Sequence, residues 1–293
     1  MKNTKLWTAL ITPLKEDGSL HFSDLEKLAK RQEKAGNGLL IIGSTGEGLA
    51  LSDNEKLEVL KFVSDLNPEV PVMAGVGGFN LEEQKKWVNA CNKSNVDALL
   101  LVTPLYAKPG IEGQVHWFKS LLDTAEKPCM LYNIPSRTGV EMPPEVLTRL
   151  KGHENLWAVK EASGSISEYQ KFREAVPDIP FFSGDDALLP FFSAAGCAGL
   201  VSVASNVWPE ATKLYVEKCL KGETESMLPV WNKAVKALFS ASNPVPAKLL
   251  LKEKGIIESA ALKPPLVEHE LKDLTELLNV DREIENWYKL NKN

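Results

Sequence analysis

The sequence predicts an α/β protein: a (β/α)8 barrel followed by a C-terminal helical extension. Three observations carry that expectation. Short apolar runs recur at a spacing of roughly 20 to 35 residues. Most are continuously apolar, as strands buried on both faces must be. Helical patterns with start signals lie between them.

The runs are, in order, Leu6–Ile11, Gly38–Gly43, Val70–Val76, Ala98–Thr103, Pro128–Asn133, Leu156–Glu161, Pro180–Gly184 and Gly199–Ala204. Ser23 with Glu26, Ser52 with Glu55, and Ser165 with Glu168 have the spacing of a capping box, in which side chains satisfy the free N–H groups of a first turn. After Ser52, Leu57, Leu60 and Val63 recur at helical spacing among charged neighbours. Strands alternating with helices imply a parallel sheet, and eight such units fit a closed TIM barrel better than an open sheet. From about Glu210 onward the chain reads as helical without strands, broken by Gly222, Asn243-Pro244-Val245-Pro246 and Lys263-Pro264-Pro265. We therefore expect a catalytic barrel over residues 1–224 and a helical extension over 225–293.

Composition excludes several classes. Of 293 residues, 44% are hydrophobic and 25% charged, which is ordinary for a globular chain and argues against disorder. Net charge is −5 and the basic residues are scattered, so no nucleic-acid partner is expected. Cys91, Cys129, Cys197 and Cys219 lack metal-ligand spacing and read as reduced, buried thiols. His21, His116, His153 and His269 are dispersed, which points to no zinc site. Ala187–Pro209 is uncharged and long enough to span a bilayer. Its prolines, glycines and serines instead suggest a short buried helix (Ala187–Ala195) and a strand (Ala198–Ala204), so no membrane partner is expected. The first residues show no signal peptide, which implies a cytoplasmic location.

Functional groups of such a barrel sit where strands end at their C-terminal side. After the second strand, Gly43-Ser44-Thr45-Gly46-Glu47-Gly48 matches neither a P-loop nor a dinucleotide fingerprint. Its adjacent hydroxyls could bind a carboxylate or relay protons; a structural turn reads equally well. After the fourth strand, two prolines and a glycine form a stiff loop that presents Tyr106, as a functional group or a packing aromatic. After the fifth, Tyr132 precedes Arg137 on a short loop, which suits a proton donor beside a carboxylate clamp; a solvated arginine is the alternative. Lys160 ends the apolar sixth strand. Partial desolvation there would favour the neutral amine that attacks carbonyls, unless the charge snorkels to water. Gly184 ends the seventh strand and could let backbone approach a small ligand, while Asp185 and Asp186 read as helix N-caps more readily than as a carboxylate pair for acid–base work. Val201 lies in the eighth strand.

Together these strand ends resemble the family of class I aldolase-type barrels that contains dihydrodipicolinate synthase (4-hydroxy-tetrahydrodipicolinate synthase) and N-acetylneuraminate lyase. The resemblance runs from Ala9-Leu10-Ile11-Thr12-Pro13 to Asn243-Pro244-Val245-Pro246-Ala247-Lys248. Tyr132-Asn133-Ile134-Pro135-Ser136-Arg137-Thr138-Gly139 looks like the synthase branch, whereas Ser44-Thr45 replaces the two threonines usual there, a pair also seen in neuraminate lyases.

The resemblance implies a lyase of lysine and diaminopimelate biosynthesis that condenses pyruvate with L-aspartate-4-semialdehyde. Lys160 would form the Schiff base. Tyr132 would shuttle protons through Thr45 and Tyr106. Ser44, Thr45, Gly184 and Val201 would hold pyruvate, and Arg137 the second substrate's carboxylate. No metal or organic cofactor is implied. Tyr106 would reach a neighbouring subunit, which implies a homodimer or homotetramer. A sialic- or keto-deoxy-sugar-acid aldolase is the alternative within the family, and a keto-acid sensor the alternative outside enzymology. Positions matching the family's lysine-inhibition site are Gly48, Leu49, Asp53, Lys56, Asn80, Gln84 and Leu105. Lys56 would repel an ammonium and Gln84 cannot pair with one, so weak or absent lysine inhibition is expected.

Overall fold

The computed structural model describes residues 3–225 and 227–292. Eight parallel strands close into a barrel in sequence order, and the first pairs with the last. They are β1 (Leu6–Ala9), β2 (Gly38–Ile41), β3 (Val72–Val76), β4 (Ala98–Val102), β5 (Cys129–Asn133), β6 (Leu156–Glu161), β7 (Phe181–Ser183) and β8 (Gly199–Ser202). Each falls within an expected run. Most are shorter, because the flanking apolar residues turn into loops once the ladder ends. The barrel is wrapped by α1 (Phe22–Ala35), α2 (Asp53–Leu66), α3 (Leu81–Asn92), α4 (Ile111–Thr124), the single turn α5 (Pro135–Thr138), α6 (Pro144–Leu150), α7 (Ile166–Ala175), α8 (Leu189–Ala194) and α9 (Pro209–Lys221).

Start signals differ in how they are used. Ser52 forms a complete capping box with Glu55 at the head of α2, and its loss should cost about 1 kcal/mol. At α7, Ser165 caps the N–H of Glu168, but the Glu168 carboxylate turns to Lys171 instead of closing the box. Ser23 is not the cap of α1. That helix starts at Phe22, two residues earlier than a cap at Ser23 requires, and the His21 ring accepts from Asp24 N. Asp185 and Asp186 do not cap α8 either. Asp185 accepts from Ala187 N in the preceding turn. Asp186 is buried and binds the Ser202 hydroxyl and Val203 N, which ties the end of β7 to the end of β8. Among the described residues no helix is long and apolar enough to cross a membrane; the uncharged run divides among α8, β8 and the start of α9.

Two cores result from strands that are apolar on both faces. The outer one lies between strands and helices. The inner one fills the barrel with Trp7, Leu40, Met73, Leu100, Met130, Ala158, Phe182 and Val201, and Tyr132 stands at its upper edge. All four cysteines are free and buried.

Beyond the barrel come α10 (Leu228–Leu238), α11 (Val245–Glu253) and α12 (Thr275–Asn291). Aromatic packing fastens α10 and α12 to α9: Trp231 stacks on Tyr215 with ring centroids 4.2 Å apart and meets Trp287 edge-on at 5.4 Å. α11 meets the loop after β2: Asn243, just before it, bonds Thr45, and Lys248 on it pairs with Glu47.

Candidate active site

Strand register decides which side chains share the barrel mouth. Cys129 pairs with Leu156, but Met130 pairs with Ala158, so Trp157 is an extra residue on β6. This bulge shifts the remaining ladder by one place and sets Tyr132 opposite Lys160. Without it Tyr132 would face Val159, and the lysine would point away from the barrel interior.

Lys160 is 5% exposed and its Nζ lies 4.0 Å from the centre of the Tyr132 ring. Burial, helped by the positive Arg137, lowers its pKa from the ordinary lysine value to about 7, against the opposing pull of Asp186. At pH 7 that leaves roughly a thousandfold more free amine than an ordinary lysine carries. Burial also raises the Tyr132 hydroxyl well above the usual phenol range, so it is protonated and able to donate. Asp186 is pushed up to about 6, chiefly by burial, with its two hydrogen bonds opposing.

Gly184 continues from β7 next to this pair. A Cβ there would lie 2.7 Å from both Lys160 Cε and Ala162 Cβ, so only glycine admits the lysine's present course. Val201, 1% exposed, belongs to the same interior cluster as Tyr132.

The hydroxyl pair divides. Thr45 is 2% exposed and its Oγ1 accepts a hydrogen bond of 2.9 Å from Asn243 Nδ2, whereas Ser44 is exposed. Arg137 is exposed on α5 and its Nη2 donates to the Asn243 carbonyl at 3.4 Å. Tyr106 is 90% exposed in a left-handed backbone conformation. Ser44, Tyr106, Tyr132 and Arg137 line one cavity of about 850 Å³, which extends past Lys56 and Gln84. Its lining includes Lys56, Lys108 and Arg137 and no carboxylate, so it suits anions.

Several supporting groups were not singled out from the sequence. Glu161, beside the lysine but on the outer face, accepts from Asn133 Nδ2 and Ser163 N, each at 2.7 Å. This joins the ends of β5 and β6. Asn243 bridges Thr45 and Arg137 although it lies 198 residues from Thr45. Among the described residues one group has metal-ligand geometry: His21, Asp24 and Glu258. Its donor atoms are already engaged within the protein, Asp24 by Lys27 and Glu258 N, and His21 by Glu258.

A lysine of lowered pKa in a TIM-barrel mouth is compatible with many carbonyl chemistries, and comparison with known proteins narrows them. Residues 2–282 match the sequence profile of the Dihydrodipicolinate synthetase family. The chain belongs to that family. Within it, a 4-hydroxy-tetrahydrodipicolinate synthase of Francisella tularensis subsp. novicida is 49% identical over 287 residues, covering 98% of this chain and 97% of the relative. The solved synthase of Methylacidiphilum fumariolicum superposes with a TM-score of 0.93 at 29% identity, covering 99% and 98% of the two chains. The dihydrodipicolinate synthase of Acinetobacter baumannii, solved with pyruvate, gives a TM-score of 0.85 at 29% identity and 98% coverage of each.

Proposed function

We propose that the protein is a 4-hydroxy-tetrahydrodipicolinate synthase, condensing pyruvate with L-aspartate-4-semialdehyde at the entry to lysine and diaminopimelate synthesis. The observation that carries the chemistry is the buried Lys160, with a pKa near 7, packed on the Tyr132 ring. Its neutral amine attacks the pyruvate ketone, and loss of water gives an imine. Withdrawal of a methyl proton then gives an enamine.

Tyr132 moves these protons, relayed by Thr45 and by Tyr106. The 90% exposure of Tyr106 within the protomer supports its serving the site of a neighbouring subunit in a homodimer or homotetramer. Ser44, Thr45, Gly184 and Val201 hold pyruvate. Arg137 takes the carboxylate of the semialdehyde, for which its planar fork of donors is suited. The enamine carbon attacks the aldehyde. The substrate's own amine then displaces Lys160 by transimination, which closes the ring and frees the enzyme.

The arginine at position 137, beside a cavity lined by Lys56 and Lys108, supports carboxylate-bearing substrates, and its place on the loop after β5 favours the synthase reading over a sugar-acid aldolase. The test is turnover with both substrates, coupled to dihydrodipicolinate reductase and read as NADPH consumption. A rate that vanishes in Lys160→Ala supports the assignment. No rate, in a protein that still traps pyruvate on Lys160, would favour a sugar-acid aldolase.

A further inference from the structure

We propose that Glu47 is a positioning residue for the Thr45 hydroxyl, held from the C-terminal extension by its buried ion pair with Lys248. The inference deepens the functional reading above, because it needs Thr45 to act in proton transfer from pyruvate.

Glu47 sits in the turn that carries Ser44 and Thr45. Its φ of 56° is left-handed, a conformation that non-glycine residues adopt only when their surroundings enforce it. Here the enforcement is visible. Its carboxylate lies 2.5 Å from Lys248 Nζ, and the two side chains are 2% and 0% exposed. The other oxygen accepts from Lys263 N at 2.6 Å. Lys248 also donates to the Ala261 carbonyl at 2.7 Å, so the ammonium is fixed from a second side.

The Glu47 backbone closes the turn. Its N–H donates to Ser44 O at 3.1 Å, and its carbonyl accepts from Ala50 and Leu51. Thr45 lies inside that loop, and its hydroxyl accepts from Asn243, which stands just before α11. Asn243 and Lys248 therefore belong to one rigid piece that grips the loop at two points. A buried ion pair contributes little net stability against an apolar pair of the same volume. What this one supplies is placement: it pins a strained backbone residue two positions from a hydroxyl that must sit within hydrogen-bond reach of its partner.

The experiment follows exchange of the pyruvate methyl protons with deuterium by NMR, which requires only imine and enamine formation. The full-length protein is compared with Glu47→Asp and with the paired variant Glu47→Gln/Lys248→Met, each in the native and the Thr45→Val background. The paired variant removes both buried charges together, and Glu47→Asp keeps the charge but shortens its reach. We expect a roughly tenfold or larger slowing in the native background and less than a twofold change in the Thr45→Val background, since groups acting through one another do not add. Equal slowing in both backgrounds would mean general loosening and would overturn the proposal. So would unchanged exchange in the variant that folds. Absence of exchange in the native protein would instead remove the functional reading itself, so the two failures are distinguishable.

Discussion

Gly184→Ala tests the packing around Lys160, the proposed nucleophile, with a single methyl group. The glycine has no left-handed φ, so alanine meets no backbone penalty, and the whole effect comes from space. The new carbon would lie 2.7 Å from Ala162 Cβ, 2.7 Å from Lys160 Cε and 3.3 Å from Lys160 Cγ. Ordinary carbon contacts are about 3.5–4.0 Å, so about 1 Å must be absorbed. Ala162 cannot give way easily, because its N–H donates to Asn133 O. The lysine chain is the softer partner, and its amine moves with it. Overpacking of this kind costs about 1–3 kcal/mol, or a fall in Tm of roughly 2–10 °C for a chain of this size. A nucleophile displaced by about 1 Å loses roughly a hundredfold in rate. Borohydride trapping with pyruvate reads the second effect and thermal unfolding the first. Trapping within threefold of the native rate would refute the argument that Gly184 makes room for Lys160.

Three further outcomes follow from the site. In the proposed mechanism the neutral amine of Lys160 attacks, and its pKa is lowered to about 7, so the trapping rate should rise with pH through about 7 and then level off. A rise continuing towards pH 10 would show that burial does not depress this lysine. Arg137 contributes to that lowering, so Arg137→Gln should move the inflection to higher pH, besides weakening the semialdehyde's binding; an unmoved inflection would contradict the electrostatic account. Lysine should inhibit only weakly, because the cavity beside Lys56 and Gln84 offers cations and no carboxylate to pair with its ammonium; micromolar inhibition in the turnover assay would contradict this.

The barrel was legible because its strands are buried on both faces, which writes eight continuous apolar runs at regular spacing into the chain. Lys160 and Tyr132 could be singled out because each stands at a strand end, where a polar group interrupts apolar sequence, and Arg137 because it follows on the short loop beyond β5. What the sequence hid is the set of relations between distant segments. The extra residue at Trp157 leaves no local mark, since both Trp157 and Ala158 are apolar and either fits the strand, yet it sets Tyr132 opposite Lys160. Asn243 and Lys248 lie about 200 positions from Thr45 and Glu47, and no periodicity connects them. Asp186 looked like a cap because caps and buried ties use the same residue types; only the hydroxyl of Ser202 across the β7–β8 pair shows which it is. His21 escaped as the cap of α1 because a ring nitrogen took the place usually filled by Ser or Asp.

The central claim is that Lys160 is the nucleophile that binds pyruvate. Mass spectrometry of the protein reduced with borohydride in the presence of pyruvate tests it most directly. The account predicts one stable adduct per chain, located on Lys160 and absent from Lys160→Ala. An unmodified Lys160, or an adduct on another lysine that persists in Lys160→Ala, would contradict it.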